Sequence, residues 1–187
     1  MSADDRVRWD GYHSQTYEKP LPAPDPLLLQ YTPAPPAEEP LYRALDLACG
    51  FGQNGLWLAQ QGYRVDLMEI SRVALKRARA EMAMRNLRTV NLLQSDVDAL
   101  ILDDELYHLI CVFRYLKRPL FKVLKDSTRP GGRIVYETFN LNYLELVPGF
   151  NRDYLLRPGE LDSFFRDWRV IFNEEAQHIS RIVAVKS

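Results

Sequence analysis

The chain has 187 residues, of which 47% are hydrophobic, and 24 Lys and Arg nearly balance 25 Asp and Glu. That length can bury one sizeable core but leaves little room for two. A formal net charge of -1 supplies no general attraction to nucleic acid, no apolar run reaches membrane-spanning length, and the amino terminus lacks a signal-peptide hydrophobic segment. One soluble domain with a cytoplasmic location and no membrane partner is therefore expected.

The first forty residues differ from the rest. Eight of the twelve prolines fall between Pro20 and Pro40, a density that prevents a continuous helix or a central strand. Residues 1–40 are expected to form an arm that wraps over the domain or stays partly mobile, with the domain proper at residues 41–187. Ahead of the prolines, Trp9, Tyr12 and Tyr17 interleave with Arg6, Arg8, Asp10 and His13. These aromatics either cover an exposed core edge or form a lid over a site, and His13 alone does not mark a catalytic or metal centre.

The stretch around which the chain is organised runs from Leu45 to Gly55. Leu45 to Ala48 reads as the end of a buried strand, Gly50, Gly52 and Gly55 have G-x-G-x-x-G spacing, and Gly55 to Ala59 opens a helix. A Cβ at Gly50 or Gly52 would intrude on a closely approaching ligand or forbid the required backbone angle. Tyr63 to Glu69 reads as a second strand with an acid at its carboxyl end. Glu69 lies nineteen residues after Gly50, close to the separation that sets a carboxylate against ribose hydroxyls. Asp46, near the mouth of the turn, would repel a dinucleotide pyrophosphate, whereas S-adenosylmethionine offers an ammonium and a sulfonium suited to an acidic mouth. The alternatives are a helix-capping Asp46 and a glycine turn without a ligand.

The following elements alternate as in an α/β protein. Ser71 caps a helix over Arg72–Met84, whose Ala74, Leu75, Ala78 and Met82 form an apolar stripe; Lys76, Arg77, Arg79 and Arg85 read as its solvated face. Thr89–Leu93 is a third strand, followed by Asp96 and Val97, while Asp98, Asp103, Asp104 and Glu105 read as surface charge. Leu106–Phe113 is a fourth strand with His108 at a core edge. Its carboxyl end presents Phe113, Arg114, Tyr115 and Leu116, where open α/β sheets place a ligand crevice. A helix at Leu120–Leu124 precedes Pro130-Gly131-Gly132, read as a turn into a fifth strand, Arg133–Phe139, with Glu137 and Asn140 available to the crevice. Pro158-Gly159 leads into a helix at Glu160–Phe165, and Trp168–Glu174 and His178–Val185 read as the last strands, after which Lys186-Ser187 leaves the fold. Cys49 and Cys111 have no metal-like spacing, so a reduced pair is expected, with Cys49 open to reaction beside the loop.

The run Ala44 to Gly52 resembles the first motif of the class I S-adenosylmethionine-dependent methyltransferases. Val112-Phe113-Arg114-Tyr115-Leu116 and Tyr154 to Leu161 resemble the small bacterial methyltransferases grouped with the tellurite-resistance proteins, over roughly residues 41 to 186. The resemblance implies a Rossmann-like seven-stranded sheet of order 3-2-1-4-5-7-6 with helices on both faces. It implies cofactor binding at Asp46, Ala48, Gly50, Gly52, Glu69, Ile70, Asp96, Val97 and Phe113, with Asp96 and Val97 at the adenine, and it favours a lid role for the amino-terminal segment. Where many relatives carry an acid near the start of the fourth strand, this chain has His108.

Methyl transfer from a sulfonium needs no metal and no covalent enzyme intermediate, so His13, His108 and His178 need not form a catalytic set. The expected acceptor is a small, soft or anionic nucleophile: a thiol or a tellurium or selenium species. Arg114 and Tyr115 are the candidate catalytic residues, the first to attract an anion and the second to orient it. Their structural alternatives are an Arg114–Glu137 pair and a wall position for Tyr115. A cofactor-responsive scaffold without methyl transfer is the competing reading.

Overall fold

A computed structural model describes residues 3–37, 41–97 and 100–187. The expected arm boundary at residue 40 and the surface reading of Asp98 lie outside the described residues. The strands form a seven-stranded mixed sheet of order β3-β2-β1-β4-β5-β7-β6 with flanking helices, as the resemblance implies. The chain divides into two compact units, Met1–Ile101 and Leu102–Ser187. Among the described residues, no helix is long and apolar enough to cross a membrane.

The first unit contains α1 (Ala3–Thr16), α2 (Pro26–Tyr31), β1 (Arg43–Leu47), α3 (Gln53–Gln60), β2 (Arg64–Glu69), α4 (Arg72–Met84) and β3 (Val90–Gln94). β1 pairs with β2 and β2 with β3, all parallel, aligning Asp46 with Leu67 and Glu69 with Gln94. β1 and β2 are buried almost throughout because helices cover parallel strands, and they carry the buried acids Asp46, Asp66 and Glu69 among their apolar residues. The proline-rich segment is fastened at defined points. Asp25 caps α2, the Asp25 amide donates to Asn54 Oδ1 at 2.8 Å, and the Tyr63 hydroxyl donates to the Pro33 carbonyl at 2.6 Å.

The second unit contains β4 (Tyr107–Phe113), α5 (Leu120–Ser127), β5 (Thr128–Phe139), α6 (Glu160–Ser163), β6 (Arg169–Ala176) and β7 (Ile179–Val185). β4 and β5 are parallel, and β7 runs antiparallel to both β5 and β6. Phe121 stacks on Phe164 with ring centroids 3.8 Å apart, beside the buried Phe165. Three expectations need correction here. Pro130-Gly131-Gly132 lies inside β5 as an irregularity, since Tyr107 pairs with Thr128 but Leu109 pairs with Arg133. The helix expected over Glu160–Phe165 is the four-residue α6. Lys186 does not leave the fold: its amide donates to Gly132, and its ammonium donates to the Thr128 and Lys125 carbonyls at 2.7 and 3.1 Å, where a cation complements the end of α5.

Arg118 ties the start of α5 to α6. Its guanidinium holds both carboxylate oxygens of Glu160, at 2.5 and 2.9 Å, and donates to the Asp153 and Leu155 carbonyls. The Arg118 hydrogen bond lowers the Glu160 pKa, burial opposes this, and the Arg157 amide adds to the lowering. A carboxylate held low when folded contributes stability that is present above its unfolded pKa and is lost as pH falls through the folded one. Glu160→Gln is therefore expected to cost about 1.5 kcal/mol at pH 7, and its gap from the wild type is expected to close towards pH 3. Urea denaturation midpoints of both proteins across that range check this.

Candidate cofactor and acceptor sites

In the first unit, β1 ends at Leu47 and the chain enters a left-handed step at Ala48, φ 54°. A residue with a Cβ adopts such a φ uncommonly, and sharp turns at ligand sites are a recurrent setting for it. Gly50 and Gly52 follow at φ 56° and 81°, and Gly52 begins α3. A Cβ on Gly50 would lie 3.5 Å from His13 Cε1, an ordinary contact. On Gly52 it would lie 2.9 Å from Leu67 Cδ1 and 3.5 Å from Ala78 Cβ. Gly52 is thus required by its backbone angle and by the core beneath the loop, and a side chain there meets the core.

Glu69 closes the loop. Its Oε2 accepts from the Gly50 amide at 3.0 Å, and its Oε1 accepts from the Ile70 and Ser71 amides, both at 2.9 Å. It is only 7% exposed. Two carboxylate oxygens offer about four acceptor directions, so three amides leave capacity for a further donor. Asp46, 2% exposed, accepts from the Gly55 amide at 2.8 Å under the first turn of α3. Val97 and Ile70 are buried, and Asp96 is half-buried after β3. Cys49 is buried, and its thiol is pushed well up by burial and then by the charges of Asp46 and Glu69. The thiolate is the nucleophile, and this site disfavours it, against the open possibility that Cys49 reacts beside the loop.

Sequence reasoning did not anticipate how α1 joins this loop. Asp10 Oδ1 accepts from the Ser71 hydroxyl at 2.7 Å and from the Val73 amide at 3.2 Å, so a side chain of α1 satisfies donors at the start of α4. His13 then lies against the loop, its ring centroid 4.9 Å from that of Phe51. Arg77 stands over the Tyr17 and Phe51 rings at 5.4 and 5.6 Å and donates to the Lys19 carbonyl. Burial holds the His13 imidazole below its ordinary pKa, although Glu69 and Asp10 push it the other way.

In the second unit, Phe113 ends β4 half-buried, and Arg114 takes a left-handed φ of 57°. Arg114 Nη1 lies 2.5 Å from Glu137 Oε1 but off the hydrogen-bonding direction, and its guanidinium stands 5.2 Å over the Phe139 ring. The Arg114 side chain remains 42% exposed. Glu137 is 1% exposed and also binds the Arg181 guanidinium, which reaches Glu174 at 2.6 Å. Glu137 is therefore not available to a crevice as expected; it is the buried counter-ion of two arginines. The Tyr115 carbonyl accepts from the Tyr136 hydroxyl at 2.7 Å, which fixes the backbone carrying Tyr115. Asn140 accepts from the Asn142 amide and donates to Ser180, another residue whose polar groups serve the fold.

A family model described as a methyltransferase domain matches residues 44–132. TehB of Haemophilus influenzae superposes with a TM-score of 0.76 at 19% identity, covering 96% of this chain and 67% of that one. An S-adenosylmethionine-dependent methyltransferase of Mesorhizobium loti gives 0.70 at 20% identity, covering 86% and 96%. Together with the strand order, these matches define a class I S-adenosylmethionine-dependent methyltransferase fold. The chain is also 28% identical over 142 residues to hemagglutinin 1 of Eikenella corrodens, a match covering 72% of this chain and 46% of that protein. It thus spans about half the length of the curated relative that it matches.

Proposed function

We propose that this chain transfers a methyl group from S-adenosylmethionine to a small soft or anionic nucleophile in the cytoplasm. The observation that carries the reading is the pair of buried acids at the glycine loop. Asp46 takes the Gly55 amide and adds negative charge beneath the turn, which opposes a dinucleotide phosphate there. A cationic arm suits that environment. Glu69 retains acceptor capacity for one ribose hydroxyl, and Ala48, Gly50, Gly52 and Ile70 contribute the surrounding backbone. Asp96 and Val97 serve the adenine end. These residues fit the cofactor without a metal.

Bound S-adenosylmethionine supplies an electrophilic methyl group with a neutral thioether as its leaving group. The work left to the chain is to bind, orient and exclude water. Arg114 is suited to draw in an anionic acceptor: a guanidinium has five N–H donors, and this side chain is 42% exposed. Tyr115, on a backbone fixed by Tyr136, is suited to orient that acceptor. The resemblance to tellurite-resistance methyltransferases favours chalcogen oxyanions, their reduced forms or thiols.

The test is transfer of a labelled methyl group to chalcogen compounds, thiols, amines, carboxylates and RNA. A small acceptor is expected to be methylated, with Arg114→Ala raising KM for an anion roughly tenfold and Tyr115→Phe lowering kcat. Transfer to RNA or protein alone would overturn the small-molecule reading. Equal turnover by both variants would remove Arg114 and Tyr115 from the mechanism.

A further inference from the structure

We propose that His13 is a cofactor contact whose Nδ1 meets the amino-acid end of S-adenosylmethionine above Gly50. The inference rests on the cofactor reading above and extends it to the amino-terminal helix.

His13 is 7% exposed, and its Nδ1 has no hydrogen-bond partner among the described residues. Buried polar atoms are nearly always paired, and one left alone calls for an explanation such as a ligand. The position of the ring supplies one. Its Cε1, directly bonded to Nδ1, lies 3.5 Å from where a Cβ on Gly50 would stand. The imidazole therefore borders the glycine turn at Gly50.

This placement is built into the fold. Asp10, one turn earlier on α1, is fixed by Ser71, which directly follows the Glu69-Ile70 segment that closes the loop, and by Val73 two residues further on. Packing on Phe51 would need only an apolar ring, yet this position holds a ring with a buried polar atom.

The direction of the ligand follows from Glu69. When the acid ending the second strand holds ribose, the substituent at the 5′ carbon extends over the glycine turn towards the following helix, as a pyrophosphate does in dinucleotide folds. In S-adenosylmethionine that substituent is the amino-acid arm, with an ammonium and a carboxylate. A neutral imidazole nitrogen can accept from the first or donate to the second.

Two probes separate this contact from simple packing. S-adenosylhomocysteine carries the amino-acid arm, whereas 5′-methylthioadenosine keeps the adenosine and thioether and lacks it. Calorimetric titration of the wild type, His13→Phe and His13→Asn with both ligands is expected to show His13→Phe weakening S-adenosylhomocysteine roughly tenfold. The same variant is expected to leave methylthioadenosine within about twofold, and His13→Asn, which keeps a polar atom near Nδ1, is expected to recover part of the loss. Equal weakening of both ligands by His13→Phe, or weakening of neither, overturns the proposal while leaving the cofactor reading intact. A wild-type protein that binds neither ligand overturns the cofactor reading and this proposal with it. Thermal melting of each variant distinguishes a lost contact from a lost fold.

Discussion

Glu69→Ala is expected to weaken S-adenosylhomocysteine binding by at least roughly 100-fold. Hydrogen bonds to a charged group contribute about 1.5–3 kcal/mol each, and one ribose hydroxyl on the remaining acceptor direction, at the upper end of that range, accounts for a loss of that size. The same carboxylate also holds the Gly50, Ile70 and Ser71 amides. Its removal leaves three donors without their acceptor and releases the glycine loop from the end of β2, so a stability loss of about 2 kcal/mol is expected as well. Glu69→Gln separates the two effects. The amide oxygen can keep Ile70 and Ser71, but the NH2 group then faces the Gly50 N–H, donor against donor. Affinity is therefore expected to fall while most of the stability survives. Calorimetry for binding and urea titration for folding measure both. Unchanged affinity in Glu69→Gln would remove the acid from the ribose contact.

The largest effect on folding is expected from Gly55→Val. A Cβ at Gly55 would lie 2.2 Å from Leu67 Cδ2, 3.0 Å from Val65 Cγ1 and 3.1 Å from Asp46 Cβ. All three neighbours belong to β1 or β2 and are buried, so α3 must move away from the sheet. Overpacking of a dense core costs about 1–3 kcal/mol and occasionally more, and valine at this site belongs at the upper end. For a chain of this length, about 3 kcal/mol corresponds to a fall in Tm of roughly 6–12 °C. Scanning calorimetry checks the shift. Gly131→Ala is a useful contrast: its Cβ would meet no atom within 4 Å, and only the φ of +75° opposes the substitution. A melting loss in Gly55→Val no larger than in Gly131→Ala would contradict the packing argument.

The strands were legible because covered parallel strands must be apolar on both faces, which leaves runs such as Leu106 to Phe113 conspicuous. The Asp46, glycine and Glu69 series was legible because its spacing reflects a tight turn and two strand ends. Helix α1 was not read as a helix because Ala3–Thr16 is mostly polar, contains Gly11 and has no apolar stripe. It is anchored by Asp10 on Ser71 and Val73, partners more than sixty residues away. Pro130-Gly131-Gly132 read as a turn because a bulge and a turn use the same residues; only the pairing of Tyr107 and Leu109 distinguishes them. Glu137 read as a crevice acid since it follows an apolar strand end, and its burial depends on Arg181, which no local pattern connects to it. Arg114 could be placed at the end of β4 from sequence, while its ion pair with Glu137 was one of two open readings.

The most direct test of the account is a calorimetric titration of the purified protein with S-adenosylmethionine, S-adenosylhomocysteine and NAD. Saturable binding of the first two at a single site, lost in Glu69→Ala, is the expected result, with no binding of NAD. Binding of NAD without binding of S-adenosylmethionine would contradict the assignment of the glycine loop and its acids.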